Sequence, residues 1–163
     1  VQAPLAELKC NGSLRGRKGQ LSEGGIRVPF IVNQPGKVKV QELDNLIYFP
    51  DVMPTLANLA RATDKLPQKI NGMNILPLFY GHQVETNNRL LYWEFTGKQR
   101  AARRGDWKVV SVKKDAPLEL YHISKDMTES TNLAQDHPEI VKEFEQEMNK
   151  MRTPSPNWPL PNE

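Results

Sequence analysis

The sequence predicts a mixed fold of the α/β class, organised in this chain as α+β, in which a small four-stranded antiparallel sheet is covered by a C-terminal helix. Two observations predict this arrangement. Between residues 90 and 122, four short segments follow one another, separated by tight turns, and the first of them is rich in aromatic residues. After residue 136, apolar residues recur at helical spacing over a longer segment. Because tight turns join antiparallel neighbours, whereas parallel strands need long crossovers, a meander is expected.

Length and composition limit the size and class of the protein. With 163 residues, of which 38% are hydrophobic, the chain can form one ordinary core, or a partial domain and a small one. No run of about 18 apolar residues is present, so no transmembrane helix is expected. The first ten residues show no signal-peptide pattern. The single cysteine, Cys10, excludes an internal disulfide framework and cysteine-based zinc sites.

The first distinctive part of the chain is a glycine-rich segment, residues 12–29. Its five glycines alternate with four cations, Arg15, Arg17, Lys18 and Arg27. Glycine lets a ligand approach the backbone closely, and backbone N–H groups with cationic side chains can hold an anion of phosphate or sulfate size. The phosphate-loop patterns GxxxxGK[ST] and GxGxxG are absent. The residues alone therefore leave two alternatives, an anion-binding loop or a basic surface loop.

A strand and a helix are expected next. Residues 26–32 form a short apolar run with β-branched side chains, typical of a buried strand, in which Pro29 indicates an edge or a bulge. Asp51 is the expected N-cap of a packing helix that continues to about Ala62, with Pro54 in its first turn. Both elements would need a larger sheet to pack against.

A predicted boundary follows in the polar residues 82–88. Just before it, the apolar residues 75–80 predict a short helix that ends at Gly81. Beyond it, the four strands of the meander are expected at residues 90–95, 99–104, 107–112 and 118–122. Apolar and polar residues do not alternate cleanly in the third strand, so both faces of the sheet are expected to be partly covered.

The last predicted element is a helix that starts after Asp136. This residue is the expected cap, Pro138 lies in the first turn, and Glu139 is the third residue after the cap. The apolar face expected to cover the sheet consists of Ile140, Val141, Phe144, Met148 and Met151. A proline-rich tail ends the helix.

The net charge of +3 is unevenly distributed. A basic cluster at residues 98–114 contains Lys98, Arg100, Arg103, Arg104, Lys108, Lys113 and Lys114. It predicts either a solvated face that is partly neutralised by the acidic C-terminal helix, or a non-catalytic binding module for anionic polysaccharide. Trp107 is the only aromatic residue beside these arginines, so binding of nucleic acid through stacked bases is not expected.

Several segments resemble those of the sulfatase family, the arylsulfatase-like members of the alkaline-phosphatase-like superfamily. The pattern LRGxKxxxxEGGIRVP at residues 14–29 is similar to the family segment that carries a substrate-binding lysine, and Lys18 falls on that lysine. Further blocks in the same order as in sulfatase C-terminal regions are residues 51–60, 71–78, 103–110 and 119–126. Agreement in order over most of residues 11–160 is far more specific than any single block.

The resemblance implies the hydrolysis of sulfate esters on aryl compounds or glycans. In the family, the nucleophile is a formylglycine hydrate, and a divalent cation, usually calcium, is held by Asp and Asn side chains. Lys18 is then the expected catalytic residue that contacts the sulfate, because a lysine offers a compact, permanent positive charge. Arg15 and Arg17 are expected to bind substrate at the rim, while Arg27 and Glu23 are expected to shape the loop through an ion pair or backbone hydrogen bonds. Family members are commonly exported, so a periplasmic or extracellular location is implied.

Much of the family's machinery is absent from this sequence. The formylglycine pattern C-x-P/A-x-R does not occur, and Cys10 lacks both the proline or alanine and the arginine of that pattern. Neither an Asp-Asp pair nor an Asp-Asn-Gly metal loop is found. The resemblance therefore implies that residues 1–81 are the C-terminal portion of a catalytic domain with an alkaline-phosphatase-like fold, and that residues 82–163 form a C-terminal subdomain. This chain alone is expected to hold no metal or cofactor and to be inactive without the N-terminal part of the enzyme.

The remaining candidate residues predict no further site. His82, His122 and His137 lack metal-ligand spacing and are expected to be surface or packing residues. Residues 11–13 (NGS) fit an N-glycosylation acceptor, a pattern that is frequent by chance.

Overall fold

The computed structural model describes residues 10–95, 99–113 and 116–156. Its helices are α1 (Glu23–Ile26), α2 (Val52–Leu59), α3 (Leu76–Phe79) and α4 (Pro138–Met151), with 3₁₀ turns at Phe49–Asp51 and Thr63–Lys65. Its strands are β1 (Leu91–Phe95), β2 (Gln99–Arg104), β3 (Trp107–Ser111) and β4 (Glu119–His122). Contacts divide the chain into two units, and each is described by itself.

The first unit contains the residues up to Val28 and those from Leu90 onward. Its four strands form one antiparallel sheet in the order β1-β2-β3-β4. This confirms the predicted meander, with strand ends shifted by a residue or so. The predicted boundary at residues 82–88 divides the chain into residues 1–81 and 82–163. The observed contacts place residues 10–28 in the same unit as the C-terminal sheet.

Both faces of the sheet are covered, as the irregular alternation in β3 predicted. On one face, α4 places Phe144 and Met148 in a core cluster with Val109 and Leu120, all four fully buried. The other face is covered by the N-terminal segment, where Leu21 packs with buried residues of β2 and β3. Burying each large apolar side chain contributes about 1.5–3 kcal/mol, so these two layers supply most of the packing energy of this unit.

The start of α4 differs from the prediction in one respect. His137, not Asp136, is the N-cap residue, and it makes no side-chain capping hydrogen bond. Pro138 is the first helical residue, and the residue before a proline is driven out of the helical region, which makes His137 the boundary. The predicted apolar face is confirmed, except that Met151 at its end remains exposed.

The strand predicted at residues 26–32 is wrong. Ile26 ends α1, and residues 27–34 have no regular structure. Val28 is 75% exposed and Ile31 is 88% exposed. Apolar β-branched residues form a strand where a neighbouring strand pairs with them and a surface packs against them. Within the described residues, no strand pairs with this segment, and Val28, Phe30 and Ile31 stay exposed.

The second unit, Pro29–Arg89, has little regular structure. Helix α2 begins after Asp51 as predicted but ends at Leu59, and its apolar side is largely uncovered, since Leu56 is 56% and Leu59 is 47% exposed. The buried side chains of α2 are instead Pro54 and Thr55. The predicted short helix before Gly81 is confirmed as α3.

Candidate functional site

Hydrogen bonds within the glycine-rich segment give it a defined shape. The Asn11 amide donates to the carbonyl oxygens of Gly16 and Gly24, at 2.9 and 2.8 Å. The Gly24 N–H donates to the Arg15 carbonyl at 2.8 Å. A Cβ atom on Gly25 would lie only 2.0 Å from the Gln20 carbonyl oxygen, so this position excludes any side chain. Because the Asn11 amide is occupied inside this turn, the folded chain does not present it for glycosylation.

The two cations at the tip of this segment are exposed. Arg17 donates its backbone N–H to the Gln20 side-chain oxygen at 2.9 Å, which shapes the turn that carries Lys18. The Lys18 side chain points to solvent, and no carboxylate or hydrogen-bond acceptor contacts its ammonium group within the described part of the chain. The predicted anion-binding lysine is thus accessible on a turn whose backbone is fixed.

Arg15, in contrast, lies against the sheet. Its guanidinium donates to Glu119 Oε2 at 2.7 Å and to the Tyr121 hydroxyl at 2.6 Å, and it stacks over the Tyr121 ring. The hydrogen bond to Glu119 is the main reason why the pKa of Arg15 is raised above its usual value. Arg15 therefore anchors the start of the segment to β4, and a role at the substrate rim remains a prediction.

Glu23 anchors the other end of the segment. Its carboxylate accepts from Lys108 Nζ at 2.8 Å and from Arg27 Nε at 3.0 Å, which confirms the expected pairing of Arg27 with Glu23. The Glu23 backbone N–H donates to Glu129 Oε2 at 2.9 Å. Burial by itself raises the pKa of the Glu23 carboxyl, but the neighbouring Lys108, Arg27 and Arg103 charges outweigh it, and the pKa is lowered.

Most of the chain matches one protein family. Residues 17–154 match the family described as N-sulphoglucosamine sulphohydrolase, C-terminal. The chain belongs to the sulfatase family. It corresponds to the C-terminal part of such proteins, and the match includes both Lys18 and the whole sheet.

Similar proteins support the same assignment. The chain is 30% identical to the N-acetylgalactosamine-6-O-sulfatase of Bacteroides thetaiotaomicron over 155 residues, which is 87% of this chain and 30% of that protein. It is 32% identical to a sulfatase of Formosa agariphila, covering 78% of this chain and 26% of that protein. The chain therefore spans between a quarter and a third of these relatives.

Solved structures agree in fold. A structure of Ps i-CgsB matches with a TM-score of 0.76 and 26% identity, covering 90% of this chain and 33% of that one. A structure of the same protein in complex with k-i-k-neocarrahexaose matches with a TM-score of 0.75. The mixed α/β fold with its four-stranded antiparallel sheet is that of sulfatase C-terminal regions.

In this sulfatase chain, three cations of the basic cluster at residues 98–114 lie against carboxylates. Arg104 donates to Glu143 and Glu147 on α4, at 2.8 and 2.9 Å. Lys108 is fully buried, and Arg103 lies 3.8 Å from Glu23. Lys98 and Lys114 lie outside the described residues. The arrangement gives little support to a polyanion-binding face built from these cations.

Sequence reasoning missed the residues that hold the loop. The sequence indicates for Asn11 only a possible glycosylation acceptor, and for Glu129 only a place among the acidic residues near the end of the chain. A signal for Lys108 was present, since a lysine between Trp107 and two valines of a buried strand needs a buried anion. The partner, however, is 85 residues away in the sequence.

Two histidines predicted to be packing residues do pack against Trp107. The rings of His122 and His137 lie 4.7 and 5.2 Å from the Trp107 ring, both edge to face. Among the described residues, no group of three or more His, Cys, Asp or Glu side chains could hold a metal ion. None of the described helices is long and apolar enough to cross a membrane.

Proposed function

We propose that this chain is the C-terminal part of an enzyme that hydrolyses sulfate esters, on aryl compounds or glycans, and that Lys18 contacts the sulfate group. The observation that carries this proposal is the exposed Lys18 ammonium, which has no partner among the described residues and lies on a turn fixed at both ends. It lies within the region that matches the sulfatase C-terminal family. An enzyme of this kind would act in the periplasm or outside the cell, where family members are commonly found.

The chemistry explains why a lysine suits this position. Hydrolysis transfers the sulfuryl group from the alcohol oxygen of the ester to water and leaves an alcohol and sulfate. Negative charge on the sulfate oxygens and on the departing alcohol oxygen must be stabilised during this transfer. A lysine ammonium is a compact donor whose positive charge is permanent near neutral pH, so it can bind one sulfate oxygen throughout the reaction.

The nucleophile and metal of the family would come from other polypeptide. The described residues do not fit a calcium site, because they contain no cluster of three or more candidate ligands. Cys10 is an exposed free thiol outside the formylglycine pattern. No step of the reaction is therefore assigned to a metal or to formylglycine in this chain.

Exposed apolar surfaces support the proposal that this chain completes a larger enzyme. Two of these surfaces are on residues 28–31 and on one face of α2 with Phe49, Met53, Leu56 and Leu59. Phe49, Met53 and Leu56 line an open groove of about 830 Å³. Apolar patches of this kind mark interaction surfaces, so we propose that both pack on the upstream part of the enzyme.

A fusion tests the role of Lys18. This chain would replace the corresponding part of the Bacteroides thetaiotaomicron N-acetylgalactosamine-6-O-sulfatase, and kcat/KM for a sulfate ester would be measured. Loss of one charge-stabilising donor costs about 100-fold or more, so Lys18→Ala is expected to lower kcat/KM by about that factor. Lys37→Ala, which removes an exposed lysine of the second unit, serves as the control. Equal activity of Lys18→Ala and Lys37→Ala would contradict the proposal.

A further inference from the structure

Lys108 is a lysine in the middle of a core strand with no exposure to solvent. Its Nζ lies 2.8 Å from Glu23 Oε1 and 2.9 Å from Glu129 Oε1. The first contact is a hydrogen bond, and the second is a charge contact without hydrogen-bond alignment. Both carboxylates are also buried, at 2% and 3% exposure. The sequence thus places three charges in the interior of a small unit.

This buried cluster holds Glu23 from two directions. Lys108 binds its carboxylate, while Glu129 accepts the hydrogen bond from its backbone N–H at 2.9 Å. Arg27 and Arg103 add positive charge near the second carboxylate oxygen, at 3.0 and 3.8 Å. Side chain and backbone of one residue are therefore fixed together, which is a tighter restraint than a single ion pair provides.

The arrangement has a cost in stability. Taking charges out of water costs several kcal/mol per ion, and a buried ion pair often contributes no more than apolar residues of the same size. Glu129 also has a φ of 53°, in the left-handed region, which costs about 1–3 kcal/mol for a residue other than glycine. Strained residues persist only where the surrounding structure holds them in place, and they cluster at functional sites. The cluster therefore suggests a role beyond core stability.

The buried charge cluster fixes the position of the turn that carries Lys18. Lys18 lies five residues before Glu23, on a segment without regular structure that includes Gly16 and Gly19 at positive φ. Arg15 fixes the segment at its start through Glu119 and Tyr121, and Glu23 fixes it at its end. Tyr121 and Lys108 are paired neighbours in the sheet register, so both anchors rest on one rigid surface.

We propose that Lys108 and Glu129 are positioning residues, which fix Glu23 and thereby hold the Lys18 ammonium in one place relative to the sheet. The inference deepens the proposed function, because the position matters for catalysis only if Lys18 binds sulfate. The placement of the loop can nevertheless be measured in the chain itself. A buried charge cluster that lowers the stability of the fold would then position the lysine of a binding site.

Hydrogen exchange resolved by residue provides the test in the 163-residue chain. Glu129→Gln removes one buried charge and weakens the hold on Glu23. We expect the exchange of the loop amides, those of Gln20, Gly24 and Gly25, to accelerate at least tenfold. Amides in the β2–β3 ladder, such as those of Ala102 and Val109, should remain within about twofold of wild type. Glu143→Gln, which removes a surface partner of Arg104, should change neither set.

Two results would overturn the proposal. Loop amides that exchange at the wild-type rate would show that Glu129 does not hold the segment. Equal acceleration of both sets would show that the cluster serves only global stability. If Glu129→Gln does not fold, Glu23→Gln makes the same comparison from the loop side, since its backbone N–H still reaches Glu129.

A double-mutant cycle in the fusion enzyme separates this inference from the proposed function. We expect Glu129→Gln to lower kcat/KM about tenfold in the presence of Lys18, and to have no effect in the Lys18→Ala background. An unchanged kcat/KM for Glu129→Gln alone would overturn the positioning role and leave the role of Lys18 intact. If Lys18→Ala has no effect, the proposed function fails, while hydrogen exchange still decides the placement of the loop.

Discussion

Asp51 shows how one residue can organise a unit that has little regular structure. Its carboxylate is fully buried and accepts both Arg89 Nη groups, at 2.6 and 2.5 Å. It also accepts the backbone N–H groups of Tyr48 and Met73, at 3.0 and 2.9 Å. These contacts connect the start of α2 to three separate parts of the chain. The sequence predicted Asp51 at this position from helix capping, but its side chain binds Arg89 and two loops instead.

Replacing Asp51 should therefore unfold the second unit. In Asp51→Ala, the largely buried Arg89 guanidinium loses its counter-charge, and breaking one side of a buried ion pair costs about 3–5 kcal/mol. Urea denaturation, monitored through a probe in this unit, measures the loss in the free energy of unfolding. Asp64→Ala is the control, because Asp64 forms an exposed pair with Lys65, and its effect should stay within about 0.5 kcal/mol. Similar midpoints for the two variants would refute the central role of Asp51.

The buried Glu23 carboxylate predicts a specific dependence of stability on pH. Its pKa is lowered in the folded chain from an ordinary value of 4.5. A depressed folded pKa stabilises the protein above the unfolded pKa, and this contribution is lost as the pH falls through the folded value. We expect the free energy of unfolding to decline below about pH 4.5, and less steeply in Glu23→Gln than in wild type. Urea titrations at pH 7 and at successively lower pH measure both slopes, and parallel slopes would show that Glu23 makes no such contribution.

At the scale of elements, the sequence predicted what local patterns determine. The strands of the meander and α4 are predicted correctly, because turn residues and helical spacing are local signals. The strand at residues 26–32 was wrong, because a strand also needs a distant partner that local patterns do not reveal. The motif identified Lys18 as a candidate, and its side chain is exposed. Its anchoring through Lys108 and Glu129 joins residues that are far apart in sequence, so no short pattern could show it.

The uncovered face of α2 gives a prediction at this scale. Leu56 is mostly exposed in the isolated chain, so Leu56→Lys should change its free energy of unfolding by no more than about 0.5 kcal/mol. The same substitution should strongly reduce the yield of folded, active fusion enzyme, because a charge would then be buried against the upstream part. Thr55→Val is the comparison, since the buried Thr55 hydroxyl donates to the Asp51 carbonyl and accepts the Ile75 N–H. It should destabilise the isolated chain as well. Full activity of the Leu56→Lys fusion would contradict a buried face.

At the scale of the whole molecule, the chain combines a well-packed sheet unit with surfaces that have no partner within the described residues. The sheet unit contains the two covered faces and the anchored Lys18 turn. The second unit exposes the apolar face of α2 and the segment around Ile31. Relatives are three to four times longer than the part this chain matches. This combination is what a part of a larger sulfatase would show.

The central claim is that this chain completes a sulfatase site and does not form one alone. The most direct measurement compares turnover of a sulfate ester by the isolated 163-residue chain with turnover by the same chain fused to the upstream part of the Bacteroides thetaiotaomicron relative. We predict no turnover above background for the isolated chain and measurable, Lys18-dependent turnover for the fusion. Turnover by the isolated chain, or a folded fusion that is inactive, would contradict the account.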